Sequence, residues 1–280
     1  MKFLTFSLIS VLFVSRGFAW PSRLANREAS RRLRGSRPLS SSPHAVVNST
    51  SNGTDSQSDP KSYAVTSSGT TLYDEYSTNW AGVVIESPPT GQNFTTVSGT
   101  FIVPKPTGSN GSASAWVGID GDTASQSILQ AGVDFTISGG KVSYDSWYEW
   151  YPNYAYDFSN FAISAGNTIT ITIHSTSSKA GVVTLLNKST GKSVSQSLTA
   201  PSSSTALKGQ NAEWIVEDYE QNGSLVPFAN FGTVTFTNAS ASTLNKTLAP
   251  NTGIKINIVQ SKKLLTSTSF TSNSVTVKHT

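Results

Sequence analysis

The 280-residue chain contains no cysteine. Disulfides, thiolate metal sites and cysteine nucleophiles are therefore all excluded. The fold must be stable through burial alone, and a domain of roughly 200 residues is large enough for that. Charge is scarce as well: Asp, Glu, Lys and Arg together make up 13% of the chain. Arginine is missing from everything after Arg37, where twelve Lys face fifteen Asp and Glu, a balance of −3. The net charge of +4 thus describes an amino-terminal segment and gives no reason to expect nucleic-acid binding. Stretches of helix-favouring composition are absent. The one apolar run, residues 3–14, is too short to span a membrane.

Histidine is almost as rare, and the three positions say little. His44 precedes the strand-rich region, His279 lies at the carboxyl end, and His174 ends an alternating segment on its polar face. No G-x-S-x-G occurs, so a Ser-His-Asp hydrolase has little support. No His/Asp/Glu cluster has metal spacing and no glycine loop would cradle phosphate, so neither a metal nor a cofactor is expected. Carboxylates, amides and aromatics remain.

What is present divides the chain in three. Residues 1–19 read as a secretory signal, with Lys2, the apolar run, and small residues Gly17 and Ala19 before a cut. Residues 20–76 begin basic, from Arg23 to Arg37, and turn rich in Ser, Thr, Asn and Gly. They read as a pro-segment and linker, although a disordered tail would have the same composition. Residues 77–280 read as strands. "TITITIHS" at 168–175 alternates isoleucine with polar residues, and "GTVTFTN" at 232–238 alternates in the same way. "GVVTLLNKSTGKSVSQSL" at 181–198 reads as a hairpin turning at Ser189-Thr190-Gly191. Short strands with turn residues between them predict an all-β antiparallel sandwich or barrel. Eight N-x-S/T sequons, at Asn48, Asn52, Asn93, Asn110, Asn187, Asn222, Asn238 and Asn245, each suggest a glycan and an exposed position. The mature protein is expected to be secreted, extracellular and monomeric, with no membrane attachment.

Three segments gather the chemistry: "AWVGIDGDTASQSILQAGVDF" (115–135), "SYDSWYEWYP" (143–152) and "NAEWIVEDYE" (211–220). Period two puts Trp116, Gly118 and Asp120 on one face of the first, with Ile128 and Gln130 sharing a face further on. In the second, Asp145, Trp147, Glu149 and Tyr151 share a face. In the third, Glu213, Ile215, Glu217 and Tyr219 lie opposite Ala212, Trp214 and Val216, which look core-facing. Glu217 therefore points away from the core, into a groove if the sheet is curved. A solvated acidic face on a lectin-like binding module would produce the same pattern. So would a glycoside hydrolase using Asp145/Glu149 or Glu213/Glu217.

These segments, in this order, strongly resemble the glutamic peptidases, or eqolisins. "STNWAGVVI" (77–85) and "VSGTFIVP" (97–104) resemble the start of the mature enzymes in that family. The resemblance implies a sandwich of two large antiparallel sheets, a lectin-like jelly roll with one concave face as the cleft. It implies a secreted precursor whose enzyme cleaves polypeptides in acid, ignores pepstatin and is held inactive by its own pro-segment. It places the catalytic pair at Gln130 and Glu217, and cleft-lining or supporting roles at Trp80, Trp116, Asp120, Asp145, Trp147 and Glu149. One Glu can serve as base to water and then as acid to the leaving nitrogen. A neutral Gln can donate N–H bonds to the oxyanion and accept from the water. Several relatives carry Cys where this chain has Ala124, so any disulfide there is lost.

Overall fold

The alternating stretch at 168–175 forms the heart of a strand whose isoleucines, Ile169, Ile171 and Ile173, are fully buried while its threonines are half-buried. Its pattern is that of a sheet with one face on a core. The computed structural model describes residues 71–280 continuously, with Pro38 and the short strand pieces Arg34–Gly35 and Ser62–Val65. The signal-peptide reading and nearly all of the pro-segment and linker reading lie outside the described residues.

Among the described residues, fourteen strands of five residues or more carry the architecture. In chain order they are β1 (Thr71–Ser77), β2 (Trp80–Ile85), β3 (Thr96–Ile102), β4 (Gly111–Ile119), β5 (Ile128–Ser138), β6 (Lys141–Tyr151), β7 (Thr168–Ser177), β8 (Ala180–Asn187), β9 (Lys192–Thr199), β10 (Ala212–Glu217), β11 (Thr233–Ser242), β12 (Ile254–Gln260), β13 (Thr266–Phe270) and β14 (Ser274–His279). Only two short 3₁₀ turns, Ser203–Thr205 and Pro250–Thr252, interrupt them among the described residues.

The strands form two large sheets. One runs β9-β8-β7-β3-β11-β14-β13 and the other β1-β12-β2-β10-β4-β5-β6, the second extended by short pieces at its edges. Pairing is antiparallel except between β1 and β12. The sheets pack face to face. Ile169, Ile171, Ile173, Val183, Phe236 and Val277 from the first meet Ala113, Ala115, Val117, Trp214 and Val216 from the second, all fully buried. Trp214 reaches across the core and donates its indole N–H to the Ser98 carbonyl at 2.8 Å. The all-β sandwich expected from the sequence is thus the observed fold.

The second sheet differs from the first in being buried on both faces. Every residue of β2, β4 and β10 is buried. Behind the main core, its outer face carries a second apolar cluster of Trp80, Val84, Trp116, Ile128, Trp147, Ala155, Ile215 and Ile256. This outer face bears the residues singled out by the three segments.

One sequon departs from expectation. Asn187 is fully buried, whereas Asn93, Asn110, Asn222, Asn238 and Asn245 are exposed. Asn187 Nδ2 donates to Asn167 Oδ1 at 3.0 Å, and its Oδ1 accepts from the Ser189 N–H at 3.1 Å. The side chain pins the β8–β9 turn, so no glycan fits there. Asn48 and Asn52 lie outside the described residues. Glycopeptide mass spectrometry should find Asn187 unmodified, and Asn187→Ala should cost about 1–3 kcal/mol in denaturant unfolding because its buried partners lose their bonds.

Candidate active site

Strand β10 occupies the middle of the second sheet, between β2 and β4. Trp214 and its neighbours of the same parity enter the core, so Glu213, Ile215 and Glu217 project from the outer face, as the period-two reading expects. In register, Glu217 lies between Trp80 of β2 and Ser114 of β4. The Trp116 indole N–H donates to Glu217 Oε2 at 2.9 Å. Trp80 and Trp116 meet edge to face, with ring centroids 4.9 Å apart. The Glu217 carboxyl therefore sits in a tryptophan-walled, fully buried setting and receives the Trp116 indole.

The next strands supply the rest. On β5, Gln130 lies opposite Gly118 of β4 on one side and Glu149 of β6 on the other. Gln130 is fully buried, and among the described residues neither its Oε1 nor its Nε2 has a hydrogen-bond partner. A buried amide left unpaired costs free energy, and such a group is an expected mark of a site built to receive something. Trp147 lies opposite Gly132 and donates its indole N–H to Ser114 Oγ at 3.1 Å. Asp145 is half-buried and faces the buried Asp134 across the strand pair, one strand beyond Ser114. Two glycines make room for these large groups. A Cβ on Gly132 would lie 2.6 Å from the Trp147 ring and 2.7 Å from Trp116 Cβ. One on Gly118 would lie 2.8 Å from Glu213 Oε1 and 2.9 Å from the Trp116 ring.

Asp120 does different work. It adopts a left-handed backbone, φ 68°, at the end of β4. Its two carboxyl oxygens accept four backbone N–H groups, from Lys208, Gly209, Gln210 and Asn211, at 2.6–3.2 Å. Asn211 in turn accepts from the Asp122 and Ala124 N–H groups and donates to the Glu86 carbonyl. Together they fix the entry to β10. At the exit, the Asp218 N–H donates to the Asn79 carbonyl at 2.9 Å. Gln260 Nε2 donates both to Asp218 Oδ2, at 2.7 Å, and to the Thr78 carbonyl, at 2.8 Å. The strand bearing Glu213 and Glu217 is thus clamped at both ends.

Periodicity groups Trp116 with Asp120, Gln130 with Ile128, Trp147 with Asp145 and Glu149, and Glu217 with Glu213, each within its own segment, and the resemblance adds Trp80. The structure brings Gln130, Glu217, Trp80, Trp116, Trp147 and Glu149 to one face of the second sheet. Asp145 lies at the side, and Asp120 is taken up by the loop it holds. The patterns did not assign Ser114, Asp134, Asp218 or Gln260. Ser114 and Asp134 carry a signal in their parity, which they share with Trp116 and Gln130. The Asp218–Gln260 contact joins positions far apart in the chain and leaves no local signal. A separate groove of about 600 Å³, lined by Phe94, His174, Leu207 and Leu244, shares none of these residues. It offers neither a carboxyl nor an aligned nucleophile.

A two-sheet sandwich that carries a buried Glu and an unpartnered Gln on one tryptophan-lined face has the features of a glutamic-type endopeptidase. The comparisons agree. Residues 78–279 match the Peptidase A4 family, and the chain belongs to it. It is 45% identical over 230 residues to Aspergillopepsin-2 of Aspergillus niger, covering 75% of this chain and 80% of that one. It is 38% identical over 253 residues to Scytalidopepsin B of Scytalidium lignicola, covering 86% and 85%. Among solved structures, scytalido-glutamic peptidase with a transition-state analogue inhibitor aligns with a TM-score of 0.67 and 35% identity, over 72% of this chain and 98% of that one.

Burial raises the carboxyls of Asp120, Asp122, Glu213 and Asp218 above the ordinary range. Burial pushes Asp218 up to about 7 against the opposing bond from Gln260. Burial, helped by Glu86 and Glu75, pushes Asp122 up to about 6. Between the ordinary carboxyl range and these values, the folded chain holds protons that the unfolded chain has released, so stability must fall as pH rises. The loss begins near pH 4 and is complete a little above pH 7. The thermal midpoint should decline across that window, and Asp218→Asn, which keeps a neutral acceptor for Gln260, should flatten the decline.

Proposed function

We propose that the chain is a secreted acid endopeptidase in which Glu217 and Gln130 form the catalytic pair. The observation that carries this reading is their placement on one buried face, Glu217 held by the Trp116 indole and Gln130 with its amide uncommitted. Ionised Glu217 takes a proton from water as the water attacks the scissile carbonyl, then returns a proton to the leaving nitrogen. Gln130 donates from Nε2 to the developing oxyanion and accepts from the water through Oε1. The Trp116 N–H lowers the cost of a buried negative charge on Glu217. Trp80, Trp116 and Trp147 wall apolar subsites for substrate side chains, Glu149 and Asp145 border them, and Asp120 supports them through the loop it pins. The substrates are polypeptides. Pepstatin, which inhibits paired-aspartate enzymes, is not built to engage a pair made of one Glu and one Gln. Glu217→Gln should abolish cleavage of a denatured protein at about pH 3, and Gln130→Ala should lower kcat by about 10²–10³, the usual value of an oxyanion donor. Pepstatin should leave the wild type unaffected.

Residues 1–19 act in this reading as a signal peptide and 20–76 as a pro-segment and linker that inhibits its own enzyme. The short strand Arg34–Gly35 pairs antiparallel with Glu220–Gln221, just beyond Glu217, and supports docking by strand addition. A basic segment beside acidic residues is held in part by charge, and protonating the carboxylates weakens that hold. Pro-segment peptides with every Arg changed to Gln should inhibit the mature enzyme more weakly near neutrality, as read from inhibition constants at low and high salt. Equal inhibition by both peptides would rule out the charge mechanism.

A further inference from the structure

The lateral row through Gln130 contains a group to which the mechanism above gives no role. In register it runs Val84, Glu213, Gly118, Gln130, Glu149. Gly118 has no side chain, so the Glu213 carboxyl leans over it. The place a Gly118 Cβ would occupy is 2.8 Å from Glu213 Oε1 and 3.4 Å from Gln130 Cβ. Glu213 is fully buried, and among the described residues neither of its oxygens has a hydrogen-bond partner. Two fully buried and unpartnered polar side chains thus flank one bare glycine.

We propose that Glu213 is a positioning residue, whose un-ionised carboxyl donates its proton in a hydrogen bond to Gln130 Oε1 across Gly118 and so turns the Gln130 Nε2 hydrogens toward the scissile carbonyl. This rests on the reading of Gln130 and Glu217 as the catalytic pair. Packing fixes where an amide sits but hardly distinguishes its two ends, which are nearly the same size. The neighbour's protonation state does distinguish them. A neutral acid donates to Oε1 and leaves Nε2 free for the oxyanion. An ionised carboxylate is acceptor-only and would draw Nε2 to itself through a charge-assisted bond.

The surroundings favour the neutral form. Burial raises the Glu213 pKa well above the ordinary carboxyl range, and Asp120 and Asp122 raise it further. The other titratable groups facing this row are Glu149 beyond Gln130 and Glu217 on the same strand, both acidic. Glu213 keeps its proton throughout the cycle, so proton accounting at the scissile bond stays with Glu217 and the water. The arrangement also supplies something a single general base lacks. Activity that needs only ionised Glu217 rises with pH to a plateau, whereas a fall at higher pH needs a second group that must stay protonated.

The test is peptide cleavage by the acid-matured enzyme, with kcat and KM measured against pH below the unfolding temperature. The variants are Glu213→Leu and Glu213→Gln, with Glu217→Gln as control. Glu213→Leu should lower kcat at acid pH by about tenfold or more, part of the value of a whole oxyanion donor, with KM changed less than about threefold. Its thermal midpoint should change little, because the bond lost to Gln130 Oε1 is offset by no longer burying a carboxyl group. Glu213→Gln still offers an N–H to Gln130 Oε1. It should recover most of the kcat lost in Glu213→Leu and move the falling limb up by at least about one pH unit. Wild-type kcat in Glu213→Leu, or a wild-type limb in Glu213→Gln, would overturn the proposal while leaving the catalytic pair standing. Loss in both variants with a matching drop in thermal midpoint would assign Glu213 a purely structural role and also overturn it. Cleavage by Glu217→Gln would overturn the catalytic pair itself, and the proposal with it.

Discussion

Taking carboxyl groups out of water is the constraint on which the rest of this molecule depends. Glu149, Glu213, Glu217, Asp120 and Asp218 are all at most 1% exposed, and they cluster in one sheet and its rims. An isolated buried carboxylate would be very costly, so each must be bonded by several donors, paired with a designated one, or kept neutral. The chain uses all three solutions. Asp120 gathers four backbone N–H groups, Glu217 receives the Trp116 indole, and burial raises the Glu213 carboxyl well above the ordinary range, favouring its neutral form. An acidic medium is thus a condition of the architecture as well as of the reaction.

The same economy explains how a strand can hold buried acidic side chains in place with no covalent bracing. β10 is short, and its ladder bonds to β2 and β4 fix its place and register in the sheet. The Asp120–Asn211 network sets its start, and the Asp218–Gln260–Thr78 contacts set its end. Between these anchors, glycines on neighbouring strands clear space for the tryptophans and for Glu213. The strand that carries Glu213 and Glu217 is thus held from both of its ends.

The fold was more legible in the sequence than the site, for a physical reason. In the first sheet one face meets water, so β7 and β11 alternate and announce themselves. In the second sheet both faces are buried, so β2 shows no polarity rhythm and β4 only the weak one of Ser112 and Ser114. Parity still oriented β10, because Ala212, Trp214 and Val216 are plainly core residues. The choice of Gln130 and Glu217 among several acids and amides came from family resemblance, since periodicity alone left a lectin or a glycosidase equally open. The loop-pinning by Asp120 and the burial of Asn187 were not legible at all. The first depends on residues nearly ninety positions away, and the second contradicts a sequon that is defined by three local residues and is blind to packing.

The clamps on β10 are hydrogen bonds in a chain without a single sulfur–sulfur link, which bears on the handling of the enzyme. Reductants and thiol-modifying reagents have nothing in its frame to attack. A substrate protein stapled by its own disulfides can therefore be opened with a reducing agent in the same vessel, and the agent unravels the substrate while sparing the peptidase.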